Sequence, residues 1–429
     1  MKHPHSVLLI YNLFPRFFTC IEEWIDRIPE IDAMGFNAIF INPFFETGFS
    51  GSLYAVKNYH RLSPLLFGKT HAVGDFSPVE RFNDECCNRG ISLFIDLVIN
   101  HTAFDAELTK LHPEWYSHDK DGALVSPSAI DPANEANVTV WGDLATVDNE
   151  NCRDRERLWE YWDALIAFFQ EKGICGFRCD AAYQVPVGLW QYLIERAKKR
   201  NPKALFLAET LGCRLEQIEA LASAGFDYLF NSVKWWKFDQ PWAIEQHTAN
   251  RLIAPSIAFP ESHDTERLAS EPPGTIAVQK SRYAFSALFS QGLLMPIGYE
   301  YGAKTRIDVV HGIPGDLDTP QWNLCDWIRR INQLKKEIGV LGEEGIWQVL
   351  TSYNNDFLFL MKKSEFKHAP VCVCINKRET AETVVDEWMI PEEVKKMNYA
   401  ISLLNDVLQK EEIPLAFTLD PADVVLFTT

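Results

Sequence analysis

The sequence predicts a (β/α)8 TIM barrel with a small inserted lobe after the third strand and a C-terminal antiparallel β-sandwich domain. Eight short β-rich runs alternate with amphipathic stretches of helical period, which is typical of a parallel sheet covered by helices. One connection between these runs is much longer than the others. After about residue 344 the pattern changes to short alternating runs, which indicate an antiparallel sheet.

The barrel prediction rests on the eight runs and the segments between them. Stretches such as Cys20–Met34 and Arg155–Lys172 place apolar residues at three- and four-residue spacing, with charges on the other face. Eight strand-helix units make a closed barrel the economical architecture, and we assign residues 1–101 and 151–344 to it. The predicted strands are Val7–Tyr11, Ala38–Asn42, Leu93–Ile99, Gly176–Asp180, Ala204–Glu209, Tyr228–Asn231, Ser256–Glu261 and Leu293–Gly298.

The inserted lobe is predicted from the length of one connection, and the C-terminal domain from a change in the spacing of apolar residues. About 75 residues separate the third predicted strand from the fourth, and much of this span is rich in Pro, Asp, Asn and Ser. This predicts an inserted lobe at residues 102–150. A C-terminal domain is predicted at 345–429 from the runs Trp347–Ser352, Phe357–Lys362, Val371–Asn376 and Val424–Phe427.

Composition narrows the possible partners. Hydrophobic residues make up 47% and charged residues 23% of the chain, as in an ordinary globular protein. The net charge of -18 repels nucleic acid and anionic membranes, so a neutral substrate is the easier partner.

The apolar run Val7–Leu13 is short for a signal sequence and no run of about 18 apolar residues occurs, so we expect a cytoplasmic protein, with leaderless export left open. The ten Cys have neither disulfide-framework nor zinc-site spacing, and oligomeric state is not predicted.

Polar residues close several of the apolar strands. Barrel enzymes carry their active sites at the C-terminal ends of the strands, so these side chains are expected to converge. A lone carboxylate at a strand end is commonly a helix cap or a loop ion pair. Three acids, one arginine and two histidines at one mouth are hard to explain as stability, because clustered carboxylates repel one another. The three acids are Asp180, Glu209 and Asp264, the arginine is Arg178, and the histidines are His101 and His263; Asp96, on the third strand, is a further candidate.

Two of these acids match the needs of retaining glycoside hydrolysis. That reaction uses two carboxyl groups about 5 to 5.5 Å apart, one as nucleophile and one as general acid/base. Neighbouring strands lie about 4.8 Å apart, so Asp180 and Glu209, at the ends of adjacent strands, can meet this separation. Arg178 is two residues before Asp180 and therefore on the same strand face, where its charge would keep Asp180 ionised. Nearby negative charge would raise the pKa of Glu209, as a general acid requires.

Four segments resemble the four motifs of the α-amylase family of retaining glycosidases and transglycosylases. They are DLVINH (96–101), GFRCD (176–180), AET (208–210) and ESHD (261–264), in the family's order. The resemblance implies the barrel, the lobe and the C-terminal β domain. It also implies Asp180 as nucleophile, Glu209 as acid/base and Asp264 as a third acid that binds sugar hydroxyls.

The same resemblance assigns substrate-binding groups. His101 and His263 would hydrogen-bond hydroxyls of one sugar, and Asp96 and Arg178 belong to the same substrate-facing set. Tyr54 falls where the family places an aromatic platform under that sugar. Residues 142–148 resemble the family motif of the inserted lobe.

Several positions depart from the family pattern. Where many members carry a basic pair after the nucleophile, this chain has Tyr183 and Gln184, which argues against a calcium site. Asn100 and Asp143 are the weak candidates for metal ligands, but hard cations want six or more oxygens, so no metal or cofactor is predicted. Family members that release single glucose units often have Asp after the platform tyrosine, and Ala55 stands there.

The predicted function is hydrolysis of α-1,4-glucosidic bonds in an α-glucan such as starch, glycogen or maltooligosaccharides. The first alternative is a transglycosylase, because the stretches 112–121 and 189–211 resemble the branch that transfers maltosyl units from maltose 1-phosphate. A phosphate donor requires a cationic pocket, for which Lys57, Lys234 and Lys237 are candidates. A further alternative is a non-catalytic glycan- or protein-binding relative.

Overall fold

Eight parallel strands close into a barrel in the computed structural model, which describes residues 7–67, 72–131, 134–211 and 213–429, without the side chains of 129–137. Each strand pairs with its neighbours in chain order and the eighth pairs with the first, which confirms the predicted barrel. The strands are β1 (Leu8–Leu13), β2 (Ala38–Ile41), β3 (Ser92–Leu97), β4 (Gly176–Cys179), β5 (Leu205–Ala208), β6 (Tyr228–Phe230), β7 (Ser256–Ala258) and β8 (Gly292–Pro296).

One helix follows each barrel strand and covers the outside of the barrel. In the first helix Trp24, Ile28 and Ile31 recur at helical spacing and are buried, while acidic residues in the first turn complement the helix dipole. None of the helices in the described ranges is long and apolar enough to cross a membrane. The barrel helices are α1 (Ile21–Ala33), α2 (Ser77–Cys87), α3 (Arg155–Glu171), α4 (Val187–Arg200), α5 (Leu215–Ala220), α6 (Trp242–Asn250), α7 (Ile276–Phe289) and α8 (Cys325–Glu337).

Apolar side chains fill the inside of the barrel below the ends of the strands. Ile10, Phe40, Phe94 and Ile257 belong to one buried cluster there. Gly176 opens β4 beside this cluster, and a Cβ at that position would collide with the ring of Phe94. The glycine of the second motif is therefore a packing requirement, which lets β4 lie against a large aromatic ring in the barrel.

The connection between β3 and α3 contains small antiparallel ladders, in the region where the lobe is predicted. His101–Ala103 pairs with Leu144–Thr146, and Ser128–Asp131 pairs with Asn134–Val140. A short helix, Glu107–Leu111, lies between them in sequence. The backbone N–H of Val147 donates to the carbonyl of Asn100 (3.0 Å), which ties this region to the end of β3.

Tyr54 lies in the connection between β2 and α2. That connection forms a hairpin of Phe45–Thr47 and Val56–Leu62, followed by the short helix Pro64–Phe67. Tyr54 lies in the turn of the hairpin, which brings its side chain to the mouth of the barrel, where it meets β3 and β7 residues.

Two antiparallel sheets follow the barrel, as the sequence predicts. In spatial order the larger sheet consists of Ile346–Val349, Phe357–Lys363, Val371–Asn376, Val424–Thr428, Tyr399–Ser402 and Glu411–Glu412. The smaller sheet pairs Thr383–Val385 with Phe417–Leu419 and, with the short helix Glu392–Lys395, shares a buried cluster with one face of the larger sheet. Alternate residues of the larger sheet, such as Leu358 and Val373, join the main core instead.

Buried charged groups join the barrel to the larger sheet. Lys362 donates to the carbonyls of Leu288 (2.9 Å) and Phe289 (3.2 Å), the last residues of α7. Cations at this position satisfy free carbonyls and complement the helix dipole. Close by, the carboxylate of Glu344 accepts from both the N–H (2.9 Å) and the hydroxyl (2.5 Å) of Ser256 in β7.

Candidate active site

Barrel pairing aligns the polar residues of β3 and β4. Arg178 in β4 stands directly opposite Asp96 in β3. The ladder extends one residue past the strand ends, because the N–H of Asp180 donates to the Leu97 carbonyl (3.1 Å) and that of Glu209 to the Cys179 carbonyl (3.1 Å). Asp180 and Glu209 are therefore held at the rim of two adjacent strands.

Arg178 is the centre of the cluster. Its Nη1 donates to Asp96 Oδ1 (2.8 Å) and to Asp180 Oδ1 (2.9 Å), and its Nη2 lies 3.7 Å from Asp264 Oδ2. Burial acts to lower the pKa of Arg178, but the negative charge of Asp96 and Asp180 more than offsets it and the pKa is raised. The guanidinium thus binds three of the predicted carboxylates and fixes the orientation of Asp180.

The Glu209 carboxyl group is buried in the same cluster. Its Oε2 accepts from the N–H of Ala181 (2.9 Å), and its Oε1 accepts from the N–H of Leu211 (2.7 Å). Burial, assisted by the charges of Asp180 and Asp264, raises the pKa of Glu209 to about 7, although Arg178 opposes this. Near neutral pH this group can therefore both give and take a proton.

Tyr54 joins Asp96 to His263. The Tyr54 hydroxyl donates to Asp96 Oδ2 (2.6 Å), and it accepts from the amide of Asn42 (3.0 Å). His263 Nε2 lies 2.7 Å from the same hydroxyl and 3.1 Å from Asp264 Oδ2. Since the hydroxyl proton goes to Asp96 and Asp264 carries no donor when ionised, the proton of the neutral imidazole belongs on Nε2.

Burial sets the protonation of these groups. It lowers the pKa of His263 to about 4, so the ring is neutral near pH 7. It raises the pKa of Asp96 to about 7, against the opposing effect of Arg178. Tyr54 and His263 lie with their rings nearly parallel, 5.7 Å between centroids, beside the exposed carboxylate of Asp264.

His101 and Asn100 lie where β3 passes into the inserted region. His101 is buried, and burial lowers its pKa. Both of its ring nitrogens are buried, and neither hydrogen-bonds to a described side chain. Asn100 donates its amide to Gln184 Oε1 (3.2 Å) across the mouth.

Asn100 and Asp143, the two weak candidates for metal ligands, lie next to and within the inserted region. Asn100 directs its amide donor at Gln184, while its Oδ1 is buried without a hydrogen-bond partner among the described residues, and the backbone carbonyl of Asp143 accepts from Phe104 (2.8 Å). Within the described ranges, no cluster of three or more His, Cys, Asp or Glu side chains is arranged to hold a metal ion. A hard cation would require about six oxygen ligands, so we derive no role for one.

Ala55 has a structural explanation. It is fully buried in a small cluster with Ala103, Ala106 and Leu144, which packs the hairpin against the inserted region. An aspartate at this position would be a buried charge without space or a partner. The residue that follows Tyr54 is therefore part of the packing.

Glu261, the first residue of the fourth motif, forms its hydrogen bonds within the loop after β7. It is fully buried and accepts from Arg267 Nη1 (2.8 Å) and from the N–H of Leu268 (2.6 Å). Its role is to hold the loop after β7. Of the three lysines considered for a phosphate pocket, Lys57 and Lys234 are paired with Asp105 (3.5 Å) and Glu271 (3.0 Å), while Lys237 forms no ion pair in the described ranges.

Sequence reasoning missed three residues of the mouth. Asn42 ends the second predicted strand and supports Tyr54, but a single amide gave no signal of function. Phe40 lies under the cluster, with its ring 5.9 Å from the guanidinium carbon of Arg178. Trp235 lies at the rim, edge-on to Phe259, and only its place after the sixth strand could have indicated it.

Comparisons with known proteins find similar sequences and similar folds. The model of the glucanotransferase domain of glycogen debranching enzyme matches residues 2–133. The chain is 25% identical over 346 residues to α-1,4-glucan:maltose-1-phosphate maltosyltransferase from Burkholderia pseudomallei, covering 78% of this chain and 30% of that protein. It is 24% identical over 305 residues to neopullulanase 2 from Thermoactinomyces vulgaris, covering 66% and 50%. The chain thus spans half or less of the length of these two relatives.

Solved structures share the fold over the whole chain. The crystal structure of an α-amylase from Lactobacillus plantarum superposes with a TM-score of 0.75 at 19% identity, covering 98% of this chain and 99% of that one. The fold and the arginine-centred carboxylate cluster define an amylase-type (β/α)8 barrel with a C-terminal β domain. In its fold, its four motifs and its relatives the chain is similar to members of the α-amylase family.

Proposed function

We propose that this protein is a retaining enzyme that cleaves α-1,4-glucosidic bonds of starch, glycogen or maltooligosaccharides. The observation that carries the proposal is the pairing of two acids in opposite environments. Asp180 is bound by the buried cation Arg178, while Glu209 is buried with its pKa raised to about 7. Such a pair separates the roles of nucleophile and proton donor.

The proposed reaction has two steps. A carboxylate oxygen of Asp180 attacks the anomeric carbon, while Glu209 protonates the departing glycosidic oxygen and becomes a carboxylate. Water then attacks the same carbon, Glu209 takes its proton, and the bond to Asp180 breaks. Two inversions leave the product with the α configuration of the substrate.

The other polar residues of the cluster differ in exposure and in hydrogen-bond partners, which supports different roles in binding the substrate. Asp264 is the most exposed of the three acids, with 52% of its side chain accessible, and is suited to accept hydrogen bonds from sugar hydroxyls. Tyr54 offers a ring face at the same mouth, and the His101 ring is buried close to it. Asp96 acts through Arg178 and Tyr54 as a positioning residue.

The experiment is digestion of maltoheptaose, followed by product analysis and by proton NMR of the first products. We expect shorter maltooligosaccharides released as α anomers, and no turnover by the Asp180→Asn variant. Glu219→Gln, which changes an exposed acid on α5, is the matched control and should keep its activity. Initial release of β anomers, or unchanged turnover by Asp180→Asn, would overturn the assignment of the nucleophile.

A second candidate function is maltosyl transfer from maltose 1-phosphate, favoured by the similarity to the Burkholderia maltosyltransferase. The same covalent intermediate serves both reactions, and only the acceptor differs. Phosphate release from maltose 1-phosphate in the presence of glycogen would identify this reaction. Products longer than maltoheptaose without phosphate would indicate transfer between glucans. Glycan binding without turnover of either substrate would favour a non-catalytic role.

A further inference from the structure

Two adjoining cavities form a groove between the barrel and the C-terminal sheet. Their volumes are about 240 and 320 Å³, and both are lined by Lys237, Arg282 and Glu379. We call this the interdomain groove. The first cavity is also lined by Lys234 and Trp235 of the loop after β6 and by Glu271 of the loop after β7. The second is also lined by Asn376, which ends a strand of the larger sheet, and by Lys377, which follows it.

The groove carries a surplus of positive charge in an acidic protein. Its lining contains four cations, Lys234, Lys237, Arg282 and Lys377, against the two carboxylates Glu271 and Glu379. The net charge of the whole chain is -18, so this is a local inversion of sign. Such a concave, cationic surface concentrates anions.

Arg282 and Lys237 are the groups that could bind an anion. Arg282 is held rigidly, since it donates to the Trp236 carbonyl (2.6 Å) and to Glu379 (3.2 Å) and lies over the ring of Phe238. Its remaining N–H groups make no hydrogen bond with the described residues. Lys237 is exposed and forms no ion pair in the described part of the chain. A fixed guanidinium beside an unpaired ammonium is suited to a phosphate group.

Trp235 adds an aromatic surface to the barrel end of the groove. It is 48% exposed, and it contacts Phe259 edge-on, with the ring planes at 88°. Phe259 directly follows β7 and belongs to the cluster inside the barrel, so Trp235 packs against the barrel where that strand ends, and none of the predicted carboxylates lines the groove. An exposed indole combines an apolar face with a hydrogen-bond donor, a surface on which a sugar ring can stack.

We propose that the interdomain groove is a second ligand site that binds a sugar phosphate, with the sugar ring against Trp235 and the phosphate at Lys237 and Arg282. A neutral sugar would make no use of the unpaired lysine, and inorganic phosphate would make none of the indole. Sites between structural units are common places for small ligands. The inference does not depend on the catalytic roles proposed for Asp180 and Glu209.

Calorimetric titration of the whole protein tests the proposal with three probes: glucose 6-phosphate, glucose and inorganic phosphate. None of them contains a glycosidic bond, so the result is independent of whether the enzyme cleaves glucans. We expect glucose 6-phosphate to bind at least tenfold more tightly than the other two. Lys237→Glu should weaken its binding tenfold or more, and Trp235→Ala should reduce its affinity to that of inorganic phosphate.

The control is Lys203→Glu, which makes the same charge change at an exposed lysine before β5, at the opposite end of the barrel. It should bind as the wild type does. Equal affinity for glucose would overturn the role of the cations, and equal affinity for inorganic phosphate would overturn the role of Trp235. Absence of binding, or binding unaffected by Lys237→Glu, would overturn the site itself.

Discussion

The carboxylate of Glu209 accepts a hydrogen bond from the backbone N–H of Ala181, the residue that follows Asp180 (2.9 Å). The proposed acid/base is thus connected to the strand that carries the proposed nucleophile by one peptide group. To make this contact Ala181 adopts a left-handed conformation, with φ of 41°. The geometry of the two acids therefore depends on an unfavourable backbone conformation at a single residue.

Ala181→Gly should raise the free energy of unfolding by up to about 1 kcal/mol. The left-handed conformation costs alanine about 1–2 kcal/mol, and the greater freedom of glycine in the unfolded chain offsets part of this gain. Ala181→Val should lower stability by about 2 kcal/mol or more, because a β-branched side chain is strained at positive φ. Urea titration measures both. Equal stability of the two variants would show that this conformation is not strained.

The rate of glucan cleavage should fall as pH rises through about 7. Glu209 must be protonated to act on the bound substrate, and burial raises its pKa to about 7. Glu209→Gln should lower kcat/KM about 10²–10⁴-fold and abolish this alkaline limb. The measurement is kcat/KM from pH 4 to 10. A variant with reduced activity but the same alkaline limb would assign the titration to another group.

Glu209→Gln should also change the pH dependence of stability. Between about pH 4.5 and 7 the folded state holds a proton on Glu209 that the unfolded state has lost, so wild-type stability falls as pH rises. Between pH 5 and 8 the free energy of unfolding should therefore fall by about 1–3 kcal/mol less in the variant than in the wild type. Urea titration at the two pH values checks it, and an unchanged difference would contradict the raised pKa.

Tyr54 variants separate the hydroxyl network from the ring. Tyr54→Phe removes the donor to Asp96 and should lower the free energy of unfolding by about 1–3 kcal/mol. Tyr54→Ala removes the ring as well. Its KM for maltoheptaose should be about two- to tenfold higher than that of the phenylalanine variant, because this is the change in affinity that the free energy of one aromatic contact produces. Equal KM values would exclude a platform role for the ring.

Glu344 should give the opposite pH response to Glu209. Burial alone would raise its pKa, but hydrogen bonds from His247 and Ser256 lower it to about 2. The stabilisation of the fold by the Glu344 carboxylate is therefore present above about pH 4.5 and is lost as pH falls towards 2. Glu344→Gln should lower the free energy of unfolding at pH 7 by about 3 kcal/mol and flatten this acid limb. Urea titration from pH 7 to 3 measures it, and a limb unchanged in the variant would contradict the prediction.

The sequence was most informative for the barrel strands, each of which is a continuous apolar run. All eight barrel strands form within a few residues of their predicted positions, because a closed parallel sheet requires continuous apolar runs. The runs Ser256–Glu261 and Leu293–Gly298 were too long at their ends, since β7 stops at Ala258 and β8 at Pro296. Apolar character continues into the loops there, where Phe259 and Ile297 are also buried.

Candidate site residues were predictable where strand neighbours bring them together. Asp96 and Arg178 converge because barrel pairing aligns them. Glu261 shows the limit of this reasoning, since its partner Arg267 lies six residues away in an irregular loop whose path no periodic pattern indicates. Trp235 likewise became notable only when the folded loop placed it in a groove beside the C-terminal sheet.

The C-terminal end of α7 depends on Lys362, a residue of the larger sheet. A barrel truncated before the larger sheet would lose the ammonium that serves the last carbonyls of α7, together with the Trp347 indole N–H that also donates to Phe289 (2.9 Å). Buried acceptors left in this way destabilise a fold, so excision or exchange of the sheet would fray α7 and damage the barrel wall behind β7 and β8. Any chimera should carry Lys362 and Trp347 along with the barrel.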